Sequence, residues 1–346
     1  MKALFIGLGS IGQRHLRNLV EIDPKIELYA YRHSRSSPVL SNTNEVLSKQ
    51  DVSEYYGIKD FISLEEALAN DPDLIFITNP SNLHADLALS CLKNSNAFIF
   101  IEKPLSSDIK SATALYDLEK SLNKKRVCIG YQFRFHPVIN LAKTILSSGK
   151  LGNLVSANLE NGEYMPGWHP YEDYRESYAS KKNLGGGALL TQIHDFDYAI
   201  CLFGRPKSIY AVGGKLSDLE IDVEDSVKVL MTFYADKKLF PVNVSLDYLQ
   251  WPAKKKFSVV GDKGKIECDL IDMKLTLYTL DNHETEVFDF PAFDRNEMFK
   301  KEMENFLHFA NGKDEPFVDI EVAMHSLEVA LSAHLSIEKK KVVFFK

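Results

Sequence analysis

The chain reads as an α/β protein. A doubly wound parallel sheet is expected over residues 1–130, then an α+β domain over 131–346 built on one large, mostly antiparallel sheet. Three observations predict this. An apolar strand runs straight into a glycine-rich turn and a helix at the start of the chain. Continuous apolar runs then alternate with helical patterns through the first third, as in a parallel sheet covered on both faces. Beyond residue 155 strand follows strand, and helical spacing returns only near the end.

The first element carries the most chemistry. Ala3-Leu4-Phe5-Ile6 is a short apolar strand, Gly7-Leu8-Gly9-Ser10-Ile11-Gly12 a turn, and Ile11, Leu16, Leu19 and Val20 recur at helical spacing. Glycine is needed three times: to make the turn, to let backbone approach a pyrophosphate, and to let helix and strand pack closely. The free N–H groups and positive dipole end of the new helix then face the phosphates. In this context the spacing predicts dinucleotide binding, with Gly7, Gly9, Ser10, Ile11 and Gly12 against the cofactor.

Further strands are expected at 27–31, 74–78, 97–101 and 127–130, with helices at 63–69, 83–93 and 107–122. Ser or Asp stands near several of the N-cap positions. After a helix at 138–147, residues 155–290 favour strands, among them 208–213, 227–234, 242–246 and 257–260. Helices return at 297–310 and 320–336. No repeat, low-complexity tract or flexible linker separates the halves, so the cofactor cleft is expected at their interface.

Composition bounds the partners. A chain of 346 residues exceeds most single cores, which favours two domains. A net charge of −7 argues against a nucleic-acid partner. No apolar run reaches the ~18 residues of a membrane span, and Met1-Lys2 leads into the first strand without a signal peptide. A cytoplasmic protein with a small-molecule substrate is expected. Cys91, Cys128, Cys201 and Cys268 lack metal-type spacing, so they read as structural thiols and no metal site is expected. The basic runs Lys254-Lys255-Lys256 and Lys339-Lys340-Lys341 read as solvated turns or helix ends.

The nucleotide is weighed at the end of the second strand. About twenty positions past the glycine motif an acid would accept the ribose 2′-hydroxyl of NAD. Arg32 and His33 stand there instead, followed by Ser34 and Arg35. A guanidinium suits a 2′-phosphate, which favours NADP over NAD. The alternative is an exposed basic loop that never touches the adenosine.

Asn79, Pro80 and Asn82 follow a buried strand at the sheet edge where ligands lie, and are assigned to the cofactor. Ser81 or Asn82 alternatively caps the next helix, and His84 reads as a packed residue. Glu102-Lys103-Pro104 follows another strand: Glu102 is assigned to the cofactor, and Lys103 holds its charge near cofactor and substrate oxygen. Gln132 and Arg134 leave the last strand of the sheet. Gln132 is assigned to the cofactor, and Arg134 to a phosphate, carboxylate or carbonyl of the substrate. After Gly185-Gly186-Gly187, His194 can exchange a proton near neutral pH; its plain alternative is a buried helix histidine bonded to a carboxylate such as Asp197. Trp168, Tyr174 and Arg175 lie on an aromatic, basic loop that suits the C–H face of a bulky or anionic sugar. That loop alternatively packs on the domain surface.

The N-terminal glycine motif, Glu102-Lys103-Pro104 and the Gly185-Gly186-Gly187…His194 segment, in this order, resemble the Gfo/Idh/MocA family. These are oxidoreductases similar to glucose–fructose oxidoreductase and inositol dehydrogenase. The resemblance spans nearly the whole chain. It implies an N-terminal Rossmann domain and a C-terminal substrate-binding and oligomerisation domain with an open-faced sheet. It also implies NAD(P)-dependent hydride transfer at a hydroxyl or keto carbon of a sugar, cyclitol or nucleotide sugar. Pairing through the sheet face into a homodimer or homotetramer follows from the same likeness, as do Lys103 as the catalytic lysine and a cis bond to Pro104.

One departure stands out. The family often carries an aspartate four residues ahead of the histidine, where this chain has Leu190. The nearest polar residues are Thr191 and Gln192, so the acid's role passes to Thr191 or is dropped. Thr191 is placed in the substrate wall with Lys103 and His194. Two other readings stay open: glycosidic cleavage by oxidation, elimination and re-reduction on a tightly held NAD, and a sensor that binds NADP without chemistry.

Overall fold

A computed structural model of the chain describes residues 1–32, 37–235, 238–281 and 283–345. In the first third, β1 (Lys2–Ile6), β2 (Glu27–Tyr31), a hairpin of β3 (Pro38–Leu40) and β4 (Val46–Asp51), β5 (Lys59–Phe61), β6 (Leu74–Ile77), β7 (Phe98–Glu102) and β8 (Val127–Gly130) interleave with helices. The helices are α1 (Ser10–Ile22), α2 (Val52–Tyr56), α3 (Leu64–Leu68), α4 (His84–Asn94) and α5 (Ile109–Ser121). Six strands form one parallel sheet in the order β5-β2-β1-β6-β7-β8. The chain leaves β1 toward one edge and returns to build the other, so the strand order reverses between β1 and β6. Ligands of open α/β sheets lie outside the strand ends at that reversal.

Successive side chains of a strand point to opposite faces, and the apolar runs fill both. Leu4, Ile6, Ile75, Ile77, Ile99 and Ile101 face one layer, Phe5, Phe76 and Phe100 the other. The β3–β4 hairpin was not expected, because its residues are largely polar. It is tied to α1 by Gln13, which donates to the Pro38 carbonyl (2.9 Å) and accepts from the Leu40 N–H (2.8 Å).

The rest comprises α6 (Pro137–Ser147), β9 (Leu154–Gly162), α7 (Ala188–Thr191), α8 (His194–Phe203), β10 (Ser208–Gly214), β11 (Ser226–Ala235), β12 (Lys238–Asp247), β13 (Lys254–Gly261), β14 (Gly264–Asp269), β15 (Lys274–Thr279) and β16 (Glu284–Asp289). It closes with α9 (Asn296–Ala310), α10 (Ile320–Lys339) and β17 (Val343–Phe344). Nine of these strands form a second sheet, ordered β16-β15-β14-β13-β9-β12-β11-β10-β17. Every neighbouring pair is antiparallel except β12 with β9.

One face of this sheet is core and the other is open. Val227, Val229, Met231 and Phe233 of β11 are buried, while Leu230 and Tyr234, on the alternate face, stand exposed. Helix α9 belongs to neither flank of the second sheet. Its Met303, Phe306 and Leu307 join Phe5, Phe76 and Phe100 in the core under α1, so a late stretch of chain covers the first sheet. Among the described residues no helix is long and apolar enough to cross a membrane.

The expected solvated turn at 254–256 is corrected. These lysines open β13, and strand alternation splits them. Lys254 pairs with Glu160 and Lys256 with Asp269, each at 2.6 Å, while Lys255 lies over the Phe133 ring, 4.7 Å from its centroid. Lys339 ends α10 and Lys340 is its left-handed cap, which is a helix end.

Candidate functional site

The carboxyl ends of β1, β6, β7 and β8 build the site. After β1 the chain turns at Gly7 (φ +100°), where a Cβ would lie 2.9 Å from the Asn79 nitrogen. A Cβ on Gly12 would lie 2.5 Å from the Gly7 carbonyl oxygen and 2.7 Å from Thr78 Oγ1. Strand, turn and helix therefore touch through backbone, which leaves no room for a larger residue. Gly9 is the N-cap of α1 and offers no side-chain cap, no acid occupies the first turn, and the Tyr171 hydroxyl reaches Ser10 from outside the helix. Ser10 and Ile11 supply the first helical N–H groups. The helix dipole and free N–H groups make this end of α1 a place for an anion.

Beside this helix end, Asn79 and Asn82 each bury an Oδ1 with no hydrogen-bond partner, and Gln132 buries an unpartnered Oε1. Unpaired buried acceptors are costly, and here they border the space a dinucleotide would fill. The residues present fit an NAD(P) cofactor. Pro80 leads into the helical turn at Ser81–Leu83. Both ring nitrogens of His84 lie 2.7 Å from carbonyl oxygens, those of Pro104 and Asn79, so this buried side chain ties the Asn79 and Lys103 loops together.

Glu102 is fixed from behind. His15 Nε2–H donates to its Oε1 at 2.6 Å, and its Oε2 accepts the Lys103 N–H at 3.1 Å. Burial works to raise the Glu102 carboxyl, but the His15 hydrogen bond and the nearby positive charges outweigh it and hold the group below its usual range. Glu302 of α9 completes the cluster, with ligand-type atoms of the three residues within 4.8 Å of one another. Burial, then the Glu102 charge, push the Glu302 carboxyl well up, so it sits as a neutral group.

Lys103 projects from this support, and its bond to Pro104 is cis. Its ammonium donates to the Thr191 carbonyl at 2.8 Å. Burial lowers its pKa to about 8, against the pull of Glu102 and with the repulsion of Lys255 and Arg295. His194 begins α8, buried against Phe133 (ring centroids 4.9 Å apart) and Tyr131 (5.8 Å). Its Nδ1 has no partner. Burial, then Lys103, Lys255 and Arg295, hold the imidazole well below its ordinary pKa. It is a neutral base at neutral pH.

Four expectations are corrected. Arg32 does not present its guanidinium to a 2′-phosphate: it is buried, gripping Asp51 through two hydrogen bonds (3.0 and 2.7 Å) and donating to Ser53 Oγ (2.6 Å). The β3–β4 hairpin brings Asp51 there. Arg134 does not reach for substrate, because it forms a two-pronged pair with buried Asp197 (2.9 and 2.8 Å). Arg175 is exposed and paired with Asp173 and Glu220. The Thr191 hydroxyl donates to the Gly187 carbonyl and meets the Tyr248 hydroxyl at 2.5 Å. Thr191 therefore offers its backbone to Lys103 rather than an acid substitute to His194.

His33 lies outside the described residues. Trp168 packs edge-on against Tyr248 at 5.0 Å, its indole N–H without a partner, and the Tyr174 hydroxyl accepts from the Glu220 N–H at 3.3 Å. Sequence reasoning missed Lys255 and Arg295. Strand alternation at 254–256 was the one available signal for Lys255, and Arg295 had none. Both line a cavity of ≈ 350 Å³ with Phe133, His136, Asn161 and Met298.

Comparisons with known proteins cover both halves of the chain. Residues 1–131 match the oxidoreductase family with an NAD-binding Rossmann fold, and residues 139–267 match the GFO/IDH/MocA C-terminal domain. The chain is 25% identical over 353 residues to the myo-inositol 2-dehydrogenase of Thermotoga maritima, covering 99% of this chain and 98% of that protein. Among solved structures it resembles GenD2 from gentamicin A biosynthesis in complex with NAD, with a TM-score of 0.80, 19% identity and coverage of 100% and 96%. It also resembles the WlbA dehydrogenase from Bordetella pertussis in complex with NADH and UDP-GlcNAcA, with a TM-score of 0.78, 18% identity and coverage of 100% and 99%.

Proposed function

Because the chain belongs to the Gfo/Idh/MocA family of NAD(P)-dependent oxidoreductases, we propose that it moves a hydride between nicotinamide and a carbinol or keto carbon of a sugar, cyclitol or nucleotide sugar, with Lys103 and His194 as its catalytic residues. The observation that carries the assignment is the pairing of a half-buried ammonium, held at the sheet mouth by the Thr191 carbonyl, with a buried imidazole whose Nδ1 is unpartnered. The cofactor, when bound, supplies the hydride acceptor or donor. Gly7, Gly9, Ser10, Ile11 and Gly12 would cradle its phosphates, with Asn79, Pro80, Asn82, Glu102 and Gln132 nearer the reactive end.

The chain's own residues handle the proton and the charge. His194, neutral at working pH, accepts the hydroxyl proton in oxidation and returns it in reduction. Lys103 stabilises the alkoxide that develops on the same oxygen, an interaction stronger in the transition state than in the ground state. Glu102, locked by His15, keeps the Lys103 backbone in place. Trp168 and Tyr174 border the substrate side.

We place the domain boundary at 130/131 and the enzyme in the cytoplasm as a homodimer or homotetramer paired through the exposed sheet face. NAD(H) is the preferred cofactor in this reading. The Arg32 charge that would favour a 2′-phosphate is neutralised by Asp51.

The test is a spectrophotometric screen of NAD⁺ and NADP⁺ against cyclitols, sugars and nucleotide sugars. A hydroxyl substrate should yield reduced nicotinamide, and Lys103→Ala should lower kcat by about 10²–10³ while leaving NADH affinity within about threefold. Glycoside cleavage with no net cofactor reduction would replace this reading with the elimination mechanism. Full activity in Lys103→Ala would remove the lysine from it.

A further inference from the structure

Two cations beside the catalytic pair have no part in moving a hydride or a proton. Lys255 is the middle lysine of three on β13. Its neighbours point to the other face and pair with Glu160 and Asp269, whereas no carboxylate lies within 4 Å of Lys255 among the described residues. Arg295, just ahead of α9, also lacks such a pair, although Asp294 and Glu297 flank it in sequence. Both line the ≈ 350 Å³ cavity, and both act electrostatically on Lys103 and His194.

Two acids, Asp195 and Glu163, draw on the Lys255 charge from beyond ion-pair distance. Asp195 is engaged by the Asn161 amide (2.7 Å) and the Tyr198 hydroxyl (2.5 Å), and Glu163 stands exposed at the rim. The two cations face one cavity, Lys255 half-buried and Arg295 exposed, and neither closes an ion pair there among the described residues. The floor beneath them is apolar: Phe133, with Leu270 and Met273. A site of this size takes one sugar-sized ring, at the small end of ligand cavities.

We propose that the substrate of the reaction assigned above carries a carboxylate or phosphate group, and that Lys255 and Arg295 bind it while the ring rests on the apolar floor and presents its carbinol to Lys103 and His194. The fork of Arg295 suits either anion through paired N–H bonds, and Lys255 adds a point charge. The anionic group then fixes which ring carbon reaches the catalytic pair. This rests on the dehydrogenase reading and extends it to specificity.

The experiment compares binding and turnover on the NADH- or NAD⁺-saturated enzyme for glucose, galactose, glucuronate, galacturonate and the corresponding hexose phosphates. Binding is read by the shift in melting temperature and by quenching of bound-NADH fluorescence. The expected result is that at least one anion class binds about 10- to 100-fold more tightly than its neutral parent, uronates pointing to a carboxylate substrate and hexose phosphates to a phosphorylated one. Lys255→Met and Arg295→Met should each erode that preference and together abolish it, with NADH affinity unchanged. Arg295→Met lies on an exposed segment, which keeps the test available should Lys255→Met fold poorly.

Equal binding of neutral and anionic sugars overturns the proposal, as does failure of both anion classes to bind, or a preference that survives in the double variant. Oxidation of neutral sugars without anion preference defeats this inference alone. Anion preference with no oxidation of these sugars, nor of the cyclitols and nucleotide sugars of the wider screen, defeats the dehydrogenase reading and leaves the subsite standing.

Discussion

Lys103 is the residue at which charge, burial and chemistry meet. Its pKa of about 8 means that the ammonium is present at neutral pH and lost as pH rises further. If it serves as a cation, log kcat/KM for oxidation should fall above about pH 8, by about tenfold per unit. The rising limb set by His194 should lie on the acid side of neutral, because that imidazole is held well below its ordinary value. In Lys103→Arg, whose guanidinium stays charged, the alkaline fall should vanish from the residual activity. A rise through pH 8 in the wild type would instead make the neutral amine the proton acceptor. Arg32 gives a second prediction at this scale. Arg32→Ala breaks its charge-assisted bonds to Asp51 and should cost about 1.5–3 kcal/mol by urea denaturation. The NAD⁺/NADP⁺ preference should shift by less than about tenfold. A large swing in cofactor preference without loss of stability would restore Arg32 to the nucleotide site.

Among the elements, α1 and α9 decide how the first sheet is finished. The α1 glycines were legible in sequence, because a strand, three glycines at fixed spacing and a helical repeat are all local. The place of α9 was not. Its apolar spacing shows that it buries a face, but no local pattern says that the face lands on strands two to three hundred residues upstream. Phe306 is fully buried, its ring 5.3 Å from Phe76 and 5.5 Å from Phe100. Phe306→Ala should therefore lower unfolding stability by about 3–5 kcal/mol, measured by denaturant melts with NADH binding as a second probe. A loss below about 1 kcal/mol would mean that α9 is not part of that core. The β3–β4 hairpin is the opposite case: a largely polar segment held by Gln13 and Arg32, with Val39 and Leu40 as its buried apolar residues.

At the scale of the whole molecule, the second sheet leaves one face bare. Tyr210 and Leu230 are direct cross-strand partners, as are Tyr234 and Leu239, and all four are exposed. Contiguous apolar surface of this kind marks an interaction site, which is the physical support for the homo-oligomer proposed above. Leu230→Glu combined with Tyr234→Glu should shift the mass found by light scattering to that of one chain, while the far-UV spectrum stays unchanged. An unaltered mass would put the interface elsewhere or leave the wild type a monomer.

The amino-acid order alone determined whatever depends on near neighbours: the nucleotide cradle from Gly7 to Gly12, the parallel sheet from its unbroken apolar runs, the change to strand alternation after residue 155, and Lys103 and His194 as chemical candidates. Partnerships were decided only by the tertiary structure. Arg32, Arg134 and Arg175 each looked available for a ligand, and each is engaged by an acid (Asp51, Asp197, and Asp173 with Glu220). Lys255 looked like one of three solvated lysines, and strand geometry turned it inward, beyond ion-pair distance of any acid among the described residues. The reason is physical. Local spacing sets which face a side chain occupies, but the counter-charge that silences it, or the lack of one, comes from chain brought there by the fold.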